Sequence, residues 1–463
     1  MLDLAIFVVY LALVAGLEWA GARKRRRGLG DYVLAGRTLT LPVFVATLVP
    51  SFYGGVLGIG EFTWTHGLSN WLVMALPYYV FAAVYALFLA GRIRLKPGLT
   101  IADHVESAYG AAFAVFAALL VFVLSSPADE FVMIGTLLSY FFGMALKPAM
   151  ALGAVVSLLF MLKGGLRSDV WANALQFLLV LVGFAVLFPF AISRVGAPSH
   201  LAALLPPGHL SLTGGLSVWQ ILGWWIIAAW TIVDPIFHQR AAAAGSPAVA
   251  RRGILLCIPF WMAIDLMTTA AGLYARAAVP HLSHPLMAYP KLADLVLPPG
   301  FRALFFCGMA SSVLAGLQGR ILQSAISLGK DALGRAFKAT DAAEEKLTMI
   351  AMVASALLGY ALAVWIPSVV GLWYALGSAV IPALLWPLVS AYYPRLRPSR
   401  AFAFAASIGA CAISFLWVGA SHAIHHPLLG LNPMFPGLAY SMLIWGLGLW
   451  IAPQALAKNL SVT

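Results

Sequence analysis

Ser51-Phe52-Tyr53-Gly54-Gly55-Val56-Leu57-Gly58-Ile59-Gly60-Glu61 is an apolar run interrupted by Gly54, Gly55, Gly58 and Gly60. It lies inside the stretch 41–64, which is long enough to cross a bilayer. Glycine weakens a helix and lets backbone open. Open backbone at membrane depth survives only where protein or a watery cavity encloses it. Broken helices of this kind build midplane binding sites in membrane carriers. Gly54 and Gly58 also form a GxxxG pair, which reads equally as a tight helix-packing face. Both readings stand at this point.

The surrounding composition sets the environment. The 463 residues are 62% hydrophobic and 10% charged, with a mean hydropathy of +0.93. Soluble domains carry about 25% charged residues, so this is an integral membrane protein. Apolar segments fall near 2–20, 41–64, 71–91, 111–142, 146–162, 170–193, 217–238, 253–277, 300–328, 348–367, 369–392, 401–421 and 434–453. At about 20 residues per crossing they predict about thirteen transmembrane helices. No stretch between them is long enough for a soluble module, so residues 1–463 read as a single membrane domain.

A net charge of +12 would point to nucleic acid in a soluble protein. Here most Lys and Arg follow the odd-numbered segments, as in Arg23–Arg27, Arg92/Arg94/Lys96, Arg251-Arg252 and Arg395/Arg397/Arg400. The positive-inside rule then places the N-terminus outside and the C-terminus in the cytoplasm of a multi-pass protein of the cytoplasmic (inner) membrane. Partners are accordingly membrane lipids and a small-molecule solute, with no nucleic acid. A lipid-binding role for the basic cluster after the first segment is a secondary reading. Cys257, Cys307 and Cys411 lie in apolar segments without CxxC or ligand spacing, and read as small core residues. His425-His426 is not spaced as a metal site, so no metal is expected. P-loop, HExxH, GxSxG and dinucleotide motifs are all missing, which leaves neither an enzyme nor an ATP-driven pump supported, and no cofactor.

The fourth segment is too long for one straight crossing. Within it, Ser125-Ser126-Pro127-Ala128-Asp129-Glu130 predicts a kink where a new helix begins with Ser126 as its cap. Asp129 and Glu130 are the alternative interest, because ionisable residues inside spans usually face a cavity. Residues 99–110 read as a short amphipathic helix ended by Gly110, and 329–347, with both charge signs, as a solvated helix.

At this point the residues resemble a known family. Asp31-Tyr-Val-Leu-Ala-Gly-Arg37 after a basic loop, the glycine-broken segment ending at His66-Gly67, and Leu99-Thr-Ile-Ala-Asp-His-Val105 are similar to motifs of the sodium:solute symporter family. So are Gly164-Gly-Leu-Arg-Ser-Asp-Val-Trp171, Asp234-Pro235 with Gln239-Arg240, and Leu297-Pro-Pro-Gly-Phe-Arg302 leading to Lys330-Asp331. The ordered set, over residues 1–400, carries the resemblance; single motifs do not. It implies an all-α, leucine-transporter-like fold with a 5+5 inverted repeat. An extra N-terminal helix and basic loop (1–40) would precede a first repeat (41–193) and a second (217–392), with C-terminal helices at 401–463. The functional unit is expected to be a monomer.

The resemblance also implies a cation site, and here the chain departs from the family. Sodium-coupled members carry an adjacent hydroxyl pair on the ninth segment. Counting from Pro298-Pro-Gly300 forward and from Lys330-Asp331 backward, that pair falls on Ala315 and Gly316. The family's carbonyl ligands map to Leu48, Ser51 and Ser312, and a commonly acidic position to Gln318. A hard cation needs several oxygens in place of its water shell, so ordinary sodium use is not expected. Ser311 and Ser312, one turn earlier, would need a bulge to substitute.

Individual residues each keep two readings. Arg320 is a built-in positive charge paired with Asp129, Glu130 or Asp265, or a side chain snorkelling to the interface. Glu61 caps amides, binds a proton or sits in an outer vestibule. Asp265 carries a coupling proton or a core hydrogen bond. Asp234-Pro235 ends the seventh segment, with Asp234 and Arg240 structural or gating. Trp224, Trp225, Trp230, Thr231, Tyr78 and Tyr79 are belt or packing residues, or with Tyr53 offer cavity surface and cation–π contact to a solute.

The expected function is a secondary active transporter of a small polar solute by alternating access, of the symporter type. Its sodium site is degraded, so that coupling is to H+ or is sodium-independent. Ser51, Tyr53, Tyr78, Asp129, Glu130, Trp230 and Thr231 are the expected solute contacts, and Glu61, Asp234, Asp265, Gln318 and Arg320 the coupling or gating groups. The alternatives are a Na+-coupled symporter with altered ligands and a membrane sensor that binds solute without moving it.

Overall fold

The computed structural model describes residues 2–23, 34–161, 165–424 and 428–454. Residues 24–27 of the basic cluster, 31–33 of the first family motif, Gly164, His425-His426 and the end of the chain from 455 lie outside the described residues. The described chain is nearly all helix. Among the described residues, eleven helices are long and apolar enough to cross a membrane, and two shorter apolar ones, Leu2–Leu17 and Leu146–Leu159, stand at the first and fifth predicted positions. Peptide groups in hydrocarbon have no water to bond, so each apolar stretch closes its hydrogen bonds internally as helix.

Three of the segments are interrupted. The second consists of Leu41–Phe52 and Val56–His66 joined by a 3-10 turn, Tyr53–Gly55. The backbone tightens here rather than unwinding, just after Pro50 removes one donor from the helical ladder. The fourth consists of Ala111–Leu124 and Ala128–Phe142, broken where the sequence predicts. Its cap is Pro127, however, and the Ser126 hydroxyl makes no hydrogen bond among the described residues. The break sets Asp129 and Glu130 in a first helical turn, where the helix dipole favours negative charge.

The seventh segment breaks twice, into Val218–Ile227, Trp230–Val233 and Pro235–Ala243. The sequence places Asp234-Pro235 at its end, but the helix continues to Ala243 and Asp234 is buried inside. The cause is local. Asp234 Oδ1 accepts the Ile236 N–H at 2.7 Å and restarts the helix beyond the proline.

Residues 329–347 also depart from expectation. They are not a separate solvated helix. The ninth segment, Phe301–Ile326, runs on through a π-helical stretch, Ser327–Gly334, to Phe337, and the next helix starts at Asp341. Lys330 and Asp331 are buried because the short helix Ile101–Tyr109 packs its acids against them. Lys330 Nζ lies 2.9 Å from both Asp103 Oδ1 and Asp331 Oδ1. Arg335 bonds Asp331 at 2.7 Å and Glu106 at 2.8 Å, and also pairs with Asp103. Burial opposes ionisation of Asp103, but the Lys330 and Arg335 charges and the Leu99 N–H outweigh it and hold its carboxyl well below the usual carboxylate range. Gly110 ends the short helix with φ +91°, as predicted.

Of the two readings of the glycine run, the structure shows tight packing, around a break that is tightened rather than open. A Cβ on Gly54 would stand 2.7 Å from the Cα of Gly316, so the two backbones touch. Gly55 and Gly58 lie against the Trp373 ring, and Gly60 against Tyr289. The turn at Tyr53–Gly55 is therefore wedged between the ninth and eleventh segments. Close approach, made possible by absent side chains, sets the break in the middle of the bundle.

Candidate functional site

A cavity of about 790 Å³, its mouth included, opens at the breaks. Its wall is drawn from the second, third, fourth, seventh, eighth, ninth and eleventh segments. Four carboxylates line it, those of Asp129, Glu130, Asp234 and Asp265, with the single guanidinium of Arg320.

Arg320 ties three segments together. Its Nε lies 3.5 Å from Glu130 Oε1 and its Nη1 4.0 Å from Asp234 Oδ2. The guanidinium carbon stands 5.1 Å from the Trp230 ring centroid, within cation–π range. A guanidinium this deep is stable only when paired. Arg320 thus does not snorkel; it pairs with Glu130, one of the acids the sequence offers, and with Asp234, which the sequence assigns elsewhere.

Asp265 is held differently. The Tyr53 hydroxyl donates to its Oδ1 at 2.8 Å, and the Tyr79 hydroxyl donates to its Oδ2. Thr268 Oγ1 lies 2.6 Å from the Tyr53 hydroxyl, and Tyr289 donates to the Thr268 carbonyl at 2.7 Å. Each hydroxyl owns one proton. With Tyr53 donating to Asp265, the one Thr268 hydroxyl proton is divided between the Tyr53 oxygen and the Ile264 carbonyl at 2.9 Å. Asp129 accepts the Trp373 indole N–H at 2.7 Å.

Ser51 closes the lower wall. Its hydroxyl donates to the Thr47 carbonyl at 2.8 Å and accepts from Asn173 and from Arg240 Nη2, each at 3.3 Å. Arg240 is buried and bonds Gln239 at 3.4 Å as well.

The family's cation positions lie along the contact between the second and ninth segments. Ser312 donates its hydroxyl to the Tyr53 carbonyl at 2.5 Å, and Ser311 donates to the Tyr10 hydroxyl at 2.9 Å. Leu48, Ala315 and Gly316 are buried and bring no side-chain oxygen. A Cβ on Gly316 would stand 3.3 Å from Glu130 Oε1. The space a hydroxyl side chain would take at 316 is thus the space the Glu130 carboxylate approaches.

Of the expected solute contacts, Ser51, Tyr53, Tyr78, Asp129, Glu130 and Trp230 line the cavity, while Thr231 is buried behind it. Of the expected coupling groups, Asp234, Asp265 and Arg320 line it and Gln318 does not. Glu61 stands apart as a helix cap. It accepts the Ser368 hydroxyl at 2.6 Å and the Val369 and Val370 N–H groups at 3.2 and 3.3 Å, at the start of Val369–Tyr392. Sequence reasoning missed Met74, Trp261 and Trp373 as wall residues. An isolated tryptophan on an apolar helix carries the same signal as an interfacial belt residue. The GxxxG pair of Gly54 and Gly58 marked a packing face but did not say what would pack there.

A family model described as sodium:solute symporter family matches residues 32–403. The chain belongs to that family. Among this symporter-family chain's curated relatives, a sodium/glucose cotransporter of Vibrio parahaemolyticus is 22% identical over 76% of this chain and 72% of its own length. A sodium/glucose cotransporter 4 of Danio rerio is 23% identical, over 79% of this chain and 62% of its own. A high-affinity choline transporter 1 of Drosophila melanogaster is 24% identical, over 83% and 65%. The chain thus spans less than two thirds of the length of the latter two.

Among solved structures, a Na+-coupled sialic acid symporter in a substrate-bound outward-open state aligns over 98% of both chains with a TM-score of 0.78 at 14% identity. Mhp1, a nucleobase-cation-symport-1 family transporter, aligns over 92% of this chain and 96% of its own with a TM-score of 0.60 at 12% identity. These likenesses speak to fold. The fold is the all-α, leucine-transporter-like inverted repeat.

Proposed function

We propose that this chain is a secondary active carrier that moves a small polar solute across the cytoplasmic membrane by alternating access. The observation that carries the reading is one cavity, walled in part by three broken segments and lined by four carboxylates and one guanidinium. In this reading the repeats 41–193 and 217–392 are the two halves that rock around the cavity. The N-terminus lies outside and the C-terminus in the cytoplasm. In this reading the functional unit is a monomer.

The same reading takes the coupling as independent of sodium. The donor set does not suit a hard cation: Ala315 and Gly316 offer no hydroxyl, and those of Ser311 and Ser312 are engaged with Tyr10 and Tyr53. Arg320, one helical turn beyond Gly316, holds a fixed positive charge against Glu130 instead. Asp265, reached by two phenols and open to the cavity, is then a carboxylate that either a proton or a cationic solute can neutralise.

Uptake into proteoliposomes tests this. Accumulation driven by an inward proton gradient in sodium-free buffer is the expected result. Sodium-driven accumulation, or a sodium-dependent rise in melting temperature, would favour a Na+-coupled symporter with altered ligands, which the names of the relatives keep in view. Solute binding without accumulation would leave a sensor.

A further inference from the structure

The cavity's charge is unbalanced, and the imbalance has a location. Glu130 and Asp234 share Arg320. Asp129 and Asp265 have no basic partner within salt-bridge distance among the described residues; they are held by an indole N–H and two phenol hydroxyls. Neutral donors orient a carboxylate and leave its charge in place. A carboxylate kept in a poorly polar wall without a paired base is costly unless a proton or another positive group joins it.

The wall around these two acids is aromatic. Tyr53, Tyr79, Trp261 and Trp373 line the cavity with them. The Trp261 N–H is turned away to the Val49 carbonyl at 3.3 Å, and that of Trp373 is spent on Asp129. Neither indole N–H is therefore free for a solute. An anion would need such donors. The guanidinium that could serve one is already shared between two acids. Ring faces and unneutralised carboxylates instead recognise a compact cation.

We propose that the solute is a small organic cation of ammonium or amidinium type, held between the Asp129 and Asp265 carboxylates and faced by Trp261 and Trp373. The inference rests on the carrier reading for its biological sense, but not for its chemistry. A solute that brings its own positive charge also explains why the wall can do without a bound metal cation near Gly316. Arg320 neutralises one side of the cavity and the solute neutralises the other.

Binding is read by thermal shift on the full chain in detergent, with choline, ethanolamine and guanidinium as cationic probes, glucose as neutral and sialic acid as anionic. At least one cation is expected to raise the melting temperature, with an apparent affinity tenfold or more above those of glucose and sialic acid. Asp129→Asn and Asp265→Asn keep an oxygen for the Trp373 and tyrosine donors and remove only charge. Each is expected to weaken the cation at least tenfold, and Asp129→Glu to restore part of it. The proposal is overturned if glucose or sialic acid binds more tightly than every cation, if none of the five probes binds, or if both Asn variants bind cation as the parent does. Labelled uptake separates the two levels. A cation bound but not accumulated sinks the carrier reading and leaves the charge assignment intact; glucose accumulated and cations ignored does the reverse.

Discussion

Two clusters of charge lie inside this helix bundle, and they are built on opposite plans. At the end of the ninth segment, Lys330 and Arg335 meet Asp103, Glu106 and Asp331 at direct bonding distance. Thr100 adds a hydroxyl to Asp331 at 2.9 Å. Nearly every charge there touches an opposite one. In the central cavity the ion-pair distances are longer, one base among four acids pairs with two of them, and the other two are bonded by neutral donors. A satisfied lattice locks helices together. An unsatisfied one keeps a need that a mobile partner can meet. The comparison separates structure from function more sharply than burial does, since Lys330 and Asp331 in one cluster and Glu130 and Asp234 in the other are all buried.

Removing the cavity's base has the largest expected effect. Arg320→Gln leaves Glu130 and Asp234 facing each other uncompensated, and is expected to abolish solute uptake and to cost about 3–5 kcal/mol of stability. Lys330→Gln is expected to lower stability by a similar amount while leaving the solute affinity of the folded protein unchanged. Melting curves and binding isotherms on both variants decide it. Uptake surviving in Arg320→Gln would erase the contrast between the clusters.

Packing at the break comes next. Gly316→Ala puts a methyl 2.8 Å from the Gly54 Cα and 3.3 Å from the Glu130 carboxylate, and is expected to cost about 1–3 kcal/mol. Gly446→Ala, where a Cβ meets nothing within 4 Å, serves as the neutral control in the same thermal assay.

A smaller effect tests whether Glu61 belongs to the cavity or to the scaffold. As the cap of Val369–Tyr392, its replacement by Ala is expected to cost about 0.5–2 kcal/mol, with uptake per folded molecule retained. Loss of proton dependence with unchanged stability would move Glu61 into the coupling machinery.

The mildest test is a pH profile at the lattice. His104, next to Asp103, bonds the Tyr392 hydroxyl. Burial, with Lys96 nearby, pushes its imidazole from the usual 6.5 down to about 4. The unfolded chain then binds more protons than the folded one between those values, so stability falls as pH drops through that window. His104→Gln is expected to flatten the fall in melting temperature between pH 6.5 and 4.

Much of the site could be read before any coordinates. Asp129, Glu130, Asp265 and Arg320 stood out because charge is rare in an apolar segment, and the glycines of the second segment because helices avoid them. Asp234 was legible as important but misplaced, since the rule that proline ends a helix hides the case where an aspartate restarts one. Trp261 and Trp373 were not legible, because one tryptophan among fifteen gives no sign of which way its ring points.

Sequence alone determined that the chain is a polytopic helical membrane protein, that its second and fourth segments break, and that two hydroxyls expected on the ninth segment are Ala315 and Gly316. Hydropathy, glycine and proline act locally, so they write those facts into order and spacing. Which acid pairs with Arg320, which acids are left without a base, and that Gly54 meets Gly316 backbone to backbone were decided only in the assembled bundle. Electrostatic pairing depends on distances of a few ångströms between helices far apart in the chain, and the register of one helix against another is set by packing.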